Sequence, residues 1–180
     1  MGEVVRRSEV LVSTEWLAGH LDDPTVRIVD CRYYFDRDGC EAYVQSHIPG
    51  AIHLNWAADL SDPNSPVPFM IAPPDQVARV LGAKGIGNDS LIVAYDDEGG
   101  HYASRLWLIL ARYGQADRLR ILDGGWTKWV REGRPVTAEL AEPAPATFHL
   151  GDGAARPEII AGSREIGSNP GLNFTGREIA

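Results

Sequence analysis

The sequence is poor in the features that announce several large classes of protein. It holds 2 cysteines in 180 residues, Cys31 and Cys40, too few for a disulfide-stapled scaffold. No CxxC, HExxH or His/Cys cluster marks a metal centre, and His47 and His53 suit neither one helix face nor a familiar ligand spacing. Acidic residues outnumber basic ones by 25 to 17, a net charge of -8, which removes the broad cationic footprint of a nucleic-acid binder. No apolar run approaches the ~18 residues of a membrane span. The opening residues 1–7 lack the apolar stretch of a secretory leader, and Arg6 stands where a myristoylation motif carries Ser or Thr. From these absences we expect a cytoplasmic protein with reduced thiols, no metal or cofactor, and neither nucleic acid nor membrane as partner.

What is present describes a water-soluble globular chain, 44% hydrophobic and 23% charged, long enough for one core and some extra chain. It is organised around the stretch from Leu91 to Gly114. Leu91–Asp96 is a short apolar-leaning run without alternation, as in a strand covered on both faces. Asp97–His101 breaks it, with Gly99-Gly100 supplying the backbone freedom of a sharp turn. Leu106, Ile109, Leu110 and Tyr113 then recur at helical spacing up to Gly114. Such a strand-turn-helix unit aims backbone N–H groups at one spot and adds the positive end of a helix dipole, a setting for an anion or a reactive thiolate. The commoner use of the unit is only to build a sheet. What separates the two uses is the residue that opens the loop, and here it is Asp96.

Around this unit strands and helices alternate. Val10–Val12 reads as a strand, followed by a helix capped by Ser13 through Trp16, Leu17 and Leu21. Val26–Cys31 is a second strand, Glu41–Ser46 a short helix, and Ala51–Leu54 a third strand after the turn His47-Ile48-Pro49-Gly50. Residues 55–70 read as loop. Pro73 and Pro74 open a helix carrying Val77, Val80 and Leu81. Leu119–Leu122 is a fifth strand, and Trp126, Trp129 and Val130 form one face of a last helix. The pattern predicts an α/β fold with a mainly parallel central sheet and helices on both faces. Ligands of such sheets bind at the carboxyl ends of the strands, where the loops after Asp30, Asp96 and Asp123 gather. Three carboxylates there make a poor site for an anionic substrate. Beyond Pro135 the periodicity fades, and residues 162–180 are too polar to build a core alone.

Four motifs now stand in one order: Ile28–Arg32, Tyr43–Leu54 with its His-Ile-Pro-Gly-Ala turn, Tyr95–Trp107, and Leu122–Trp129 with its Asp-Gly-Gly-x-x-x-Trp ending. Together they resemble the rhodanese family over residues 9–149, and look most like the first half of the tandem-domain thiosulfate/3-mercaptopyruvate sulfurtransferases. The resemblance implies that a catalytic cysteine belongs to a second domain, at the start of its strand-turn-helix loop. There its thiolate takes sulfane sulfur from a donor and passes it to a thiophilic acceptor. The first domain keeps the fold, replaces that cysteine and serves as a packing partner. The matching position here is Asp96, so no catalytic residue is expected in this chain. The partner implied is a catalytic rhodanese domain, on the same or a separate chain, with residues 150–180 a linker and polar tail or a truncated second domain.

Other candidates are open to a blander reading. Cys31 follows a strand at the correct edge but lacks a loop of N–H groups, and a buried structural thiol is the commoner case. Cys40 precedes a short helix whose dipole could activate it, against a packed or surface thiol. His101 is a base only with a nucleophile beside it. Arg32 and Arg105 are anion binders or, more commonly, ion-pair partners of Asp30, Asp96 or Asp97. Trp107, Trp126 and Trp129 read as core or domain-contact residues. Two rival functions follow: a non-enzymatic rhodanese-fold module that holds a partner protein, and a phosphatase-like use of the fold. The latter needs a cysteine at the loop start and an arginine about six residues on, where Asp96 and Tyr102 stand.

Overall fold

A computed structural model describes residues 10–150. Five parallel strands form one sheet in the order β1-β5-β4-β2-β3: β1 (Leu11–Val12), β2 (Val26–Asp30), β3 (Ile52–His53), β4 (Leu91–Tyr95) and β5 (Leu119–Leu122). The register runs Asp30 beside Tyr95 and Ala94 beside Ile121. The expected mainly parallel α/β architecture is what the chain adopts.

The run without alternation in β4 now has its reason. Ile92 and Ala94 face a core with Val77, Leu81, Leu106, Ile109 and Leu110, supplied by α4 (Pro74–Ala83) and α5 (Ala103–Arg112). Val93 and Tyr95 face a second core with Leu17, Tyr43 and Trp129, from α1 (Thr14–Ala18), α2 (Gly39–Gln45) and α6 (Gly125–Arg131). A strand apolar on both faces is stable only when both are covered.

Local boundaries follow capping chemistry. The Ser13 side chain accepts from Trp16 N, but α1 stops at Ala18 with Gly19 as its cap, so Leu21 lies past the helix rather than on it. The α2 helix starts earlier than expected because the Asp38 side chain accepts from Cys40 N. Residues 55–70 are not all loop: Asn55 Oδ1 accepts from Ala57 N and Ala58 N and caps α3 (Trp56–Asp59). In α6, Trp129 is buried while Val130 is exposed, so the predicted face holds Trp126 and Trp129 without Val130.

After α6 the chain has no further helix or long strand among the described residues, yet it is tied down. Trp129 Nε1 donates to Pro135 O at 2.8 Å. Thr137 and His47 exchange backbone hydrogen bonds of 2.8 and 2.9 Å, and His47, buried, has its ring nitrogens 2.7 Å from Tyr43 O and 3.1 Å from Glu139 O. Ala146 N donates to Gly82 O, Phe148 is buried, and Asn88 pairs with the His149 main chain in both directions. This strap crosses the domain from the α2 side to the start of β4. The linker and polar tail expected in residues 150–180 lie, from residue 151 on, outside the described residues.

Candidate functional site: the loop after β4

Asp96 follows the last residue of β4 and is 0% exposed. Its Oδ1 accepts backbone N–H bonds from Glu98 at 3.0 Å and Gly100 at 2.8 Å. Its Oδ2 accepts from Tyr102 at 2.7 Å and Ala103 at 2.9 Å. The last of these donors opens α5, so the carboxylate lies at the positive end of a helix dipole. Four N–H groups that would otherwise be orphaned in a tight loop are satisfied by one side chain. The expected cradle for an anion therefore exists, and an internal anion fills it.

The neighbouring loops are locked by other polar contacts. The buried Asp30 carboxylate receives Arg32 Nη2 at 2.6 Å and Nε at 2.9 Å, together with the Tyr95 hydroxyl at 2.7 Å. Arg32 also donates to Ser46 O and lies over the Trp126 ring at 4.4 Å. Burial and the Asp30 carboxylate push the Tyr95 hydroxyl far above its ordinary pKa, so it stays a donor. The Tyr34 hydroxyl donates to Asp97 Oδ2 at 2.5 Å and is pushed up to about 12 by burial and by that bond. Asp123 lies 3.9 Å from Lys128 Nζ. In the contacts described, Asp30, Asp96 and Asp123 meet different groups.

Both thiols are shifted toward the protonated form. Cys31 is fully buried, and burial, then Asp30 and Asp96, push its thiol well up. Cys40 sits inside the first turn of α2 rather than before it, and its thiol is also raised, first by burial and next by Asp38. Raised thiols are the protonated, unreactive form.

Arg32 is an ion-pair partner, as the blander reading had it, whereas Arg105 meets no carboxylate among the described residues. Arg105 Nη2 donates to Phe69 O, the guanidinium lies 5.2 Å from the Trp56 ring centroid, and Nε is buried without a hydrogen-bond partner. His101 is exposed, and its ring meets that of Tyr102 edge-on at 4.9 Å. Trp129 is core, and Trp107 and Trp126 pack at its margins. Sequence reading missed an aromatic edge around the loop. Tyr33 packs against Phe35, Trp56 and Tyr102 at 5.5, 5.2 and 5.4 Å, and Trp56 against Phe69 at 5.0 Å. Phe35 is 83% exposed, and Val67, Phe69 and Met70 are exposed with it. The signal was available in Tyr33-Tyr34-Phe35 and Phe69-Met70, apolar side chains in polar loops. Their separation along the chain hid that the topology brings them together.

The model of the family described as rhodanese-like domain matches residues 13–132. The chain belongs to the rhodanese family. This rhodanese-family chain is 36% identical over 146 residues to the thiosulfate sulfurtransferase of Gallus gallus, covering 77% of this chain and 50% of that protein. It is 35% identical over 153 residues to the 3-mercaptopyruvate sulfurtransferase of Escherichia coli K12, covering 83% and 53%. The crystal structure of the E. coli 3-mercaptopyruvate sulfotransferase superposes with a TM-score of 0.70 at 31% identity, over 86% of this chain and 62% of that one. The chain spans about half the length of the curated relatives it matches.

Proposed function

We propose that this rhodanese domain is the non-catalytic partner in a sulfane-sulfur transferase, supporting a catalytic rhodanese domain on the same or a separate chain that uses thiosulfate or 3-mercaptopyruvate. The observation that carries the reading is Asp96, whose carboxylate occupies the N–H groups of the loop after β4. Oxygen in that seat forms no persulfide, and an incoming thiosulfate would find the donors already used. The raised thiols of Cys31 and Cys40 offer no substitute, and two unpaired cysteines suit a reducing, cytoplasmic setting. The exposed aromatic edge beside the loop supports the packing role, since apolar surface rimmed by polar residues marks an interaction face.

The test is thiocyanate formation from thiosulfate and cyanide by the purified chain, with 3-mercaptopyruvate as the alternative donor. No turnover is expected, and none after replacing both cysteines by serine. Turnover lost with one cysteine would refute the non-catalytic role. Turnover surviving without either cysteine would refute sulfur chemistry of this kind altogether. A pull-down that returns a stable partner unrelated to sulfurtransferases, and no catalytic rhodanese domain, would favour the binding-module reading instead.

A further inference from the structure

The loop from Asp97 to Tyr102 holds two successive glycines at positive φ, Gly99 at 68° and Gly100 at 93°. Glycine loses more freedom on ordering than any other residue, and apart from Asp96 the loop is held by Tyr34 at Asp97 and by Ser104 at Gly100 and His101. Within it, His101 N donates to Glu98 O at a long 3.4 Å. The bonds that span it from end to end are those to Asp96, which reach Glu98 and Gly100 in its middle and Tyr102 and Ala103 at its exit. The Tyr102 ring in turn packs on Tyr33 at 5.4 Å and Trp56 at 6.0 Å, and Trp56 carries Phe69 and Arg105. A line of contacts thus runs from one carboxylate, through the Tyr102 backbone, to the exposed aromatic edge.

We propose that Asp96 is a positioning residue: its carboxylate is a resident anion that locks the loop after β4 and, through Tyr102, sets the aromatic edge against which a partner domain packs. This rests on the partner role proposed above and adds the residue that shapes the contacting surface. The geometry separates the anion from the rest of the side chain. Asp96→Ala removes the carboxyl group and leaves a space of the size and charge preference of formate, fully inside the fold and ringed by the same N–H donors.

The experiment is residue-resolved amide exchange on the whole chain, for the wild type and Asp96→Ala, each with and without formate, with chloride at equal ionic strength as control. In the variant, exchange at Glu98, Gly100, Tyr102 and Ala103 is expected to rise roughly tenfold or more, as loss of bonds to a charged acceptor implies. The amides of β2 and β4 should keep their protection, and the Trp56 indole N–H signal should broaden. Formate, and not chloride, should reverse both changes. Unchanged loop exchange, a uniform rise across the sheet, or failure of formate to restore the loop would overturn the assignment. Should the alanine variant not fold, Asp96→Asn keeps the shape and one acceptor. It is expected to lose protection at one N–H pair, Glu98 with Gly100 or Tyr102 with Ala103, and equal loss at all positions of the sheet would refute the idea. The two readings fail separately, because exchange tests the lock in the chain alone. Calorimetric titration with a catalytic rhodanese domain tests the partnership, and tighter binding by the wild type than by the alanine variant is the expected link.

Discussion

Substituting Gly125 by alanine tests whether the loop after β4 and the start of α6 are fitted to each other at the level of the backbone. Gly125 has φ 53°, and a Cβ built there would lie 2.2 Å from the Asp96 carbonyl oxygen. That same oxygen accepts from Trp126 N at 2.8 Å, so the contact cannot relax without breaking a bond or moving β4. Two costs add. A left-handed non-glycine residue costs about 1–2 kcal/mol. Overpacking against a backbone atom that cannot swing aside costs about 1–3 kcal/mol, so the expected loss is about 2–5 kcal/mol. Gly50 supplies the internal control. Its φ is 77° and a Cβ there meets nothing within 4 Å, so Gly50→Ala carries the backbone term alone, about 1–2 kcal/mol. Urea unfolding of the two variants and the wild type, with the slope of the transition unchanged, measures both. Equal destabilisation at the two positions would refute the claim that α6 abuts the Asp96 peptide.

Two further predictions rest on the buried polar contacts. Arg32→Leu leaves the Asp30 carboxylate buried with the Tyr95 hydroxyl as its remaining side-chain donor, and urea unfolding should show a loss of about 3–5 kcal/mol; a loss no larger than that of an exposed arginine would show that the pair is not needed. Burial and the bond to Asp97 push the Tyr34 hydroxyl up to about 12, from an ordinary value of about 10. Its neutral form is therefore favoured by folding, and the stability it contributes is complete below pH 10 and falls as pH rises from 10 towards 12. The stability difference between wild type and Tyr34→Phe should shrink across that interval, with tyrosinate absorbance as the companion titration, and a difference constant in pH would contradict the Tyr34–Asp97 bond.

Much of this architecture was legible in the residues because its signals are local. The β4 run, the Gly99-Gly100 turn and the spacing of Leu106, Ile109, Leu110 and Tyr113 each lie within one element. Asp96 could be placed at the loop start by motif alone. What the sequence did not disclose is what its oxygens bind, since backbone N–H groups look alike in every sequence. The α3 helix was missed because Asn55 is a cap only once Trp56–Asp59 turn, and a run of Pro, Asp, Asn and Ser favours loop on propensity. Arg105 was expected to meet an acid because carboxylates are near in sequence; α5 instead carries it toward Trp56 and Phe69, residues distant along the chain. Cys40 read as a packed or surface thiol with activation by its helix as the alternative, and burial and Asp38 raise its thiol.

The strap from Thr137 to His149 governs where this molecule can be cut and rejoined. The family match stops at residue 132, one residue beyond α6, and that point invites a domain boundary. Severing there would strand the Trp129 indole N–H, the His47 main chain and the Gly82 carbonyl together, and strip Phe148 from the side of the sheet it covers. Domains of this fold exchanged between relatives should therefore travel with their wrapping, and a chimera spliced at the helix end inherits a frayed flank rather than a module.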